Sequence, residues 1–574
     1  MAGARDVRAF VRRLGGNAAT GVRRLAERAV VGRRTDRDTL WLLVRLRGDA
    51  TELRPSRFSW SSEPRLPALV DLLRALEAAR DDARVRGLVL RFEGGPATLV
   101  QAAALRRAVV ALREAGKAVW AWSEAYDALE LWVASACERV DVAPTGSVHL
   151  LGFRTAQVFA RPLLERVGVR ADVVRIGTHK AAAEPLTRAA MSPEQREQLE
   201  AWQRDAFDRL VDDVARGRSL APDAVRAAID EGPFAARDAA ERGLVDDVRY
   251  PDEVEAALAA ATPNARRGAA ARAEGEDAPL APLVDVAAYA ALCGGDGGWH
   301  PLLRGLPRVA YVVASGTVWR GRGAGGVASQ RYGELLAQLR RADEVRAVVL
   351  RIESGGGDAV ASDLLCRAVE RLAARKPVVA SFAGVAASGG YYLAASASAI
   401  VAEAQTLTGS IGVVGGKLDL SGLYERLGVR VDAVESGARA GLLSPTRGFT
   451  PAERGALQRE MRVLYDAFLE RVARGRSLER AAVERVAQGR VMSGAHAREH
   501  GLVDAIGGPL EALAMACERA GLARGERYAL DVLPRGPGFG AWPWLRGFGG
   551  SRAEPGLLSE LGRSFGFGER ARLD

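Results

Sequence analysis

Histidine is scarce in this chain of 574 residues: His149, His179, His300, His496 and His500. A Ser-His-Asp triad therefore has few candidates for its base. His496 and His500 are spaced i,i+4 on an expected helix, but the sequence offers no third ligand, so no metal site is expected. Cysteine is as sparse. Cys137, Cys293, Cys366 and Cys517 lie far apart, without metal-ligand spacing, and read as buried small hydrophobes. No apolar run approaches the ~20 residues needed to cross a bilayer. Arginines interrupt residues 1–38 every few positions, which excludes the apolar core of a signal peptide. No RNA-binding aromatic pattern, zinc finger or basic zipper is present, so nucleic acid is not an expected partner.

What is present is ordinary for a folded protein: 48% hydrophobic and 26% charged residues, with net charge +10. Most of the positive charge is arginine scattered through Ala-Arg-Leu helices, which reads as a solvated surface. Within residues 1–38, Val7, Phe10, Val11 and Leu14 share one helical face, as do Val22, Leu25, Ala26 and Ala29. Such basic amphipathic helices could lie on an anionic membrane or dock on the protein itself.

The chain repeats itself with a period near 260 residues. VRGLVLRFEGG (85–95) matches VRAVVLRIESG (345–355), and ERVGVRADVVRIG (165–177) matches ERLGVRVDAVESG (425–437). VARGRSL (214–220) recurs at 472–478, and RGLVDDV (242–248) answers HGLVDAI (500–506). Constant order and spacing point to an internal duplication. The expected division is an N-terminal segment 1–38, a first copy 39–262, a linker 263–306, a second copy 307–524 and a Gly/Arg-rich tail 525–574. Each copy reads as α/β, because buried apolar runs such as RVAYVVAS (308–315) and VRAVVLRI (345–352) alternate with helical spacing.

Two segments of the second copy can carry chemistry. ESGGGDAVAS (353–362) follows a strand, and its consecutive glycines leave backbone N–H groups uncovered. GVAASGGYYLAAS (384–396) reads as strand, tight turn and helix, placing Ser388 at a helix N-terminus. There it is either a helix cap or a nucleophile beside an oxyanion hole, with one N–H from Gly389 and another from Gly356 or Gly357. The duplication decides between these. In the first copy the Ser388 position falls on Ala128 or Leu129, and Glu130 and Leu131 replace the Gly-Gly pair. Conversely, Lys180 of the first copy meets Ala440 in the second. Each copy keeps one half of a possible Ser-Lys pair, which makes sense if the halves meet in one site. Almost all of the 81 basic residues are arginine, and a buried lysine, unlike arginine, can lose its proton and act as a general base.

At these residues the chain resembles the signal peptide peptidase A family in its long, duplicated bacterial form. The resemblance covers both copies and rests on GVAASGGYYLAAS, TLTGSIGVVGG (406–416) and GTHKAAAEP (177–185). It implies two tandem Clp-protease/crotonase-like domains, each a ββα superhelix, and a Ser-Lys dyad of Ser388 and Lys180 without cofactor. It also implies that Ser410 orients the lysine, that the molecule is a bowl-shaped homotetramer, and that the substrates are cleaved signal peptides and other small unfolded peptides. The chain departs from the family twice. The family's long form carries a transmembrane anchor in the inner membrane, facing the periplasm. None is detectable here, which leaves a peripheral-membrane or cytoplasmic place open. The family's Ser-Pro-Gly-Gly turn becomes Ser354-Gly355-Gly356-Gly357. Two other readings stand beside this one: a crotonase-like acyl-CoA enzyme, for which Asp358 is the nearby carboxylate, and a non-catalytic peptide-binding scaffold.

Overall fold

Strand RVAYVVAS shows no polar alternation because both of its faces are buried. Ala310, Val312 and Ala314 enter one hydrophobic cluster, and Val309, Tyr311 and Val313 enter another. Each of the valines removed from water contributes roughly 1.5–3 kcal/mol, and a strand sandwiched in this way belongs to a parallel sheet. In this computed structural model, which describes residues 40–54, 66–262, 283–293, 306–323 and 325–534 and the isolated positions 14, 18 and 21, two such sheets form the cores.

The first sheet contains β1 (Leu40–Leu46), β2 (Val85–Phe92), β3 (Ala118–Asp127) and β4 (Arg139–His149). They are parallel and neighbour one another in sequence order. Strand β5 (Arg170–Ile176) leaves this sheet. Strand β6 (Leu283–Asp285) pairs with the free side of β1. The second sheet repeats the plan with β7 (Arg308–Ser315), β8 (Val345–Ser354), β9 (Val378–Ala387) and β10 (Leu407–Gly409), again parallel neighbours in sequence order. Strand β11 (Val413–Asp419) leaves it, and β12 (Ala529–Leu533) pairs with the free side of β7. The chain is thus a tandem duplication of one α/β domain.

Two boundaries read from the sequence are revised. The expected linker 263–306 contains β6 and the helix Val286–Cys293, and the expected tail 525–574 opens with β12. In both cases a short apolar run, Leu283-Val284 or Ala529-Leu530, covers a sheet edge that would otherwise leave backbone groups unpaired. The rest of the tail, the rest of the linker apart from Leu306, and the amphipathic faces proposed in 1–38 (Leu14 alone excepted) lie outside the described residues. No helix among the described residues is long and apolar enough to cross a membrane. The same residues hold no group of three metal-ligating side chains. Cys137 and Cys366 are buried, and Cys517 is half-buried.

The copies join through β5 and β11, which form a separate antiparallel ribbon in register from Arg170 opposite Asp419 to Ile176 opposite Val413. Its counterparts do not pair: residues 429–436 of the second copy and 151–160 of the first run without regular structure and are largely exposed.

Candidate active site

Four helices frame the site, α2 (Pro193–Arg218), α3 (Ala359–Ala373), α4 (Gly389–Ala394) and α5 (Pro451–Arg476), and α1 (Ala128–Ala134) is the first copy's counterpart of α4. Between β9 and α4 stands Ser388, with φ +54° and ψ −120°. A non-glycine residue there stores about 1–3 kcal/mol of strain. The surroundings hold it in place. Its N–H donates to Gly409 O at 2.9 Å, and its carbonyl receives the Tyr392 N–H at 2.8 Å. Its side chain caps no helix N–H, and it remains partly accessible. The neighbouring glycines are forced by contact. A Cβ on Gly389 would lie 2.5 Å from Ser362 Oγ, one on Gly390 would lie 2.3 Å from Ser354 O, and one on Gly356 would lie 2.6 Å from Gly389 N. The glycine turn after β8 and the start of α4 therefore meet backbone to backbone.

That contact places N–H groups beside Ser388. Val318 bridges the turn, donating to Gly356 O and accepting from Asp358 N–H. The Gly357 peptide groups are directed away from that bridge. Neither the Gly357 nor the Gly389 N–H has a hydrogen-bond partner among the described residues. Gly356, also named from the sequence as a donor, differs: its N–H is engaged by Ser354 Oγ at 3.1 Å. A side chain on Gly389 would approach within 3.2 Å of Gly357 N, so the two residues' backbones lie close together beside Ser388.

Lys180 enters from the first copy, just past β5. Its side chain is 3% exposed. Nζ lies 2.8 Å from Ser388 Oγ, 2.8 Å from Ser410 O and 2.9 Å from Ser410 Oγ. Burial lowers its pKa to about 7. Nζ can donate to all three oxygens; as a neutral amine it would keep two N–H donors for Ser410 and a lone pair able to accept the Ser388 hydroxyl proton. Ser410 itself sits at φ +53°. The TLTGS loop is fastened to β9 by Thr406 and Thr408, whose buried hydroxyls donate to Ala383 O at 2.8 Å and Ala386 O at 2.6 Å.

The corresponding place in the first copy is built differently. Chain β3 passes directly into α1 with Asp127 as cap, so the elbow that holds Ser388 has no counterpart, and Ala128 and Leu129 lie inside the first turn. Glu130 fills the space. Its Oε1 accepts from Gly94 and Gly95 N–H at 3.0 Å each, and its Oε2 accepts from Asp127 N–H. Burial, then the Asp127 charge, raises its pKa to about 7. The sequence signalled the loss of the glycines there but not what the carboxylate does. Asp358, the carboxylate required by an acyl-CoA enzyme reading, caps α3 through the Ala361 N–H at 2.8 Å and pairs with Arg320. It belongs to the helix start. His496 lies on the helix Gly494–Glu499 and His500 just beyond it, with no group of three metal-ligating side chains around them among the described residues.

The model of peptidase family S49 matches residues 111–263 and 370–523 of the chain. The chloroplastic serine protease SPPA of Arabidopsis thaliana is 32% identical over 545 residues, covering 93% of this chain and 77% of that one. Protease 4 of Salmonella typhi is 31% identical over 490 residues, covering 82% and 74% respectively. A putative signal peptide peptidase SppA of Enterococcus faecium is 37% identical over 182 residues, or 31% of this chain and 53% of that protein.

Proposed function

The chain belongs to peptidase family S49 and is a serine-type peptidase; on that premise we propose that Ser388 is its nucleophile, Lys180 its general base, and cleaved signal peptides and other small unfolded peptides its substrates. The observation that carries this reading is the 2.8 Å contact between Lys180 Nζ and Ser388 Oγ in a buried setting that favours the neutral amine.

The chemistry follows from the contacts. The neutral Nζ takes the Ser388 proton as Oγ attacks the peptide carbonyl carbon. The developing oxyanion sits between the Gly357 and Gly389 N–H groups, which are fixed before reaction and need no reorganisation. The resulting ammonium still has the two Ser410 oxygens as acceptors, and its third proton goes to the leaving amine. Water then attacks the acyl-enzyme, with Lys180 again as base. A partly accessible nucleophile between backbone walls suits an extended chain bound through main-chain hydrogen bonds, which favours unfolded peptides over folded proteins. The printed name of the Enterococcus relative points the same way.

The assembly belongs to this proposal. The β5–β11 ribbon shows that the two segment types pair, and the unpaired pair, 153–159 and 430–436, is repeated on every molecule. Joining the second copy of one molecule to the first copy of the next extends the same contact head to tail, and a closed ring of this kind is a homo-oligomer. The resemblance favours four copies in that ring. Contact of residues 1–38 with a membrane surface is proposed on their composition alone.

The test is labelling with a fluorophosphonate, together with hydrolysis of a synthetic signal peptide. Wild type should label and cleave, while Ser388→Ala and Lys180→Ala should lose both by at least ~10³-fold with unchanged thermal unfolding cooperativity. Equal labelling of either variant and wild type would end the dyad assignment.

A further inference from the structure

Lys180 and Ser410 come from different copies, and something has to hold them in register. Residues 488–490 do so. His179 N–H donates to Gln488 O at 2.8 Å, Gly489 N–H to Ile411 O at 2.8 Å, and Ser410 N–H to Arg490 O at 2.6 Å. Gly489, at φ +75°, presses on the lysine turn so closely that a Cβ would fall 2.5 Å from Lys180 N. The side chains continue the clamp. Arg490 Nη2 lies 2.8 Å from His179 Nε2, and its Nη1 donates to Glu197 Oε1 at 3.0 Å. Gln198, on the same helix α2, accepts from Val491 N–H.

We propose that Arg490 is a positioning residue for the Ser388–Lys180 site and that it acts through a neutral His179, so that protonating His179 releases the clamp. A guanidinium can only donate, so His179 Nε2 must accept. The ring proton then sits on Nδ1, facing Thr178 Oγ1 at 3.0 Å. A protonated imidazole would turn a donor toward a donor and set a second cation beside Arg490. The groups facing His179 are Arg490 and Arg175, which oppose its charging, and Glu197 and Glu194, which favour it. Partial burial first, and Arg490 next, hold its pKa below the ordinary histidine value. The pair therefore stays intact at neutral pH and opens on acidification. This inference rests on the dyad reading and adds a second proton to it: one on Lys180, which disables the base, and one on His179, which displaces it.

The experiment measures the second-order rate of fluorophosphonate labelling against pH for the full chain. Wild type should fall with one proton below about pH 7, where Lys180 titrates, and steepen toward two protons at lower pH. Arg490→Ala should slow labelling at pH 8 by roughly 10–100-fold, the cost of a displaced catalytic group, and Arg490→Lys should recover part of that loss. His179→Gln keeps an acceptor that cannot be protonated, so its acid limb should fall with one proton throughout. The inference is overturned if wild type labels but Arg490→Ala matches its rate and profile, or if His179→Gln keeps the second proton. A wild type that does not label at all overturns the dyad and this inference together. Thermal unfolding of each variant separates displacement from misfolding: an Arg490→Ala rate loss that tracks loss of folded protein also counts against positioning.

Discussion

Four of the 81 basic residues are lysine. Lys117 and Lys376 occupy the same place in the two copies and donate to the carbonyls of Asp82 and Val85, and of Leu339 and Ala342. Lys417 donates to Leu442 O and lies over the Phe449 ring. Lys180 alone meets hydroxyls among the described residues. Its place has an energetic consequence that can be measured. The unfolded chain holds the Lys180 proton up to about pH 10, the folded chain only up to about 7. Between these values the unfolded state binds more protons, so stability rises with pH across that window and is lowest below 7. A difference of this size is on the order of 4 kcal/mol. Lys180→Met should therefore raise the melting temperature at pH 6, and the gain should shrink as pH approaches 10. A gain independent of pH would mean that Lys180 titrates alike in the folded and unfolded chain. That Ser388 and Lys180 meet was legible because each copy lacks what the other keeps. The choice between Gly356 and Gly357 was not, because it turns on whether Ser354 Oγ engages one N–H, and sequence pattern carries no such hydrogen bond.

At the scale of elements, the repeated words of the sequence correspond to repeated contacts. The VARGRSL runs end α2 and α5, and their serines, Ser219 and Ser477, cap both helices in the left-handed region at φ +55° and +52°. Their arginines reach the aspartates of the GLVD runs, giving Arg218–Asp246 and Arg476–Asp504. Those aspartates accept from Val140 and Ile400 N–H near the start of β4 and of the strand Ala399–Ala402. Their glycines permit a crossing. A Cβ on Gly217 would lie 2.1 Å from Ser135 O, and one on Gly475 would lie 1.9 Å from Ala395 O. Since Ala395 ends α4, helix α5 rests on the element that carries Ser388. Gly475→Ala should accordingly destabilise by about 1–3 kcal/mol through overpacking and reduce turnover, despite alanine's better helix propensity. Gly455, in the same helix, would place its Cβ no closer than 3.7 Å to anything but its own turn, so Gly455→Ala should stabilise by up to ~1 kcal/mol. Thermal denaturation of the two variants compares them directly, and equal shifts would contradict the crossing. The edge strands β6 and β12 escaped the sequence reading for a related reason. They are three and five residues long, too short for periodicity to register, and they are strands only because a sheet edge is there to receive them.

At the scale of the molecule, the copies are bound by charges as well as by the ribbon. Arg351, fully buried in the second copy, donates to Glu52 of the first at 2.8 Å and to Phe382 O at 2.7 Å. Arg107 of the first copy pairs with the buried Glu403 and with Glu511 of the second. An internal duplication so joined presents one donor segment and one acceptor segment at its two ends. GVRADVV and GVRVDAV are nearly the same words, yet the first is strand β5 and the second is exposed, with Val431 at 52% and Val434 wholly open. The difference lies in the partner: β5 has β11, and residues 430–436 have no strand partner among the described residues. An exposed extended run with free backbone groups is a template for strand addition, and Val158 on the complementary segment 153–159 is likewise exposed. Placing Val431→Asp and Val434→Asp together should keep the monomer folded, because neither side chain is buried, and should lower the mass measured by light scattering from that of a closed ring to that of one chain. Fluorophosphonate labelling of the dissociated variant then separates two roles for the ring. Retained labelling means that the Ser388–Lys180 site is complete within one chain, as the contact between its own two copies requires, and that the ring serves only to enclose substrate. If wild type runs as a single chain, the pairing of 153–159 with 430–436 does not occur, and the two extended segments need another partner.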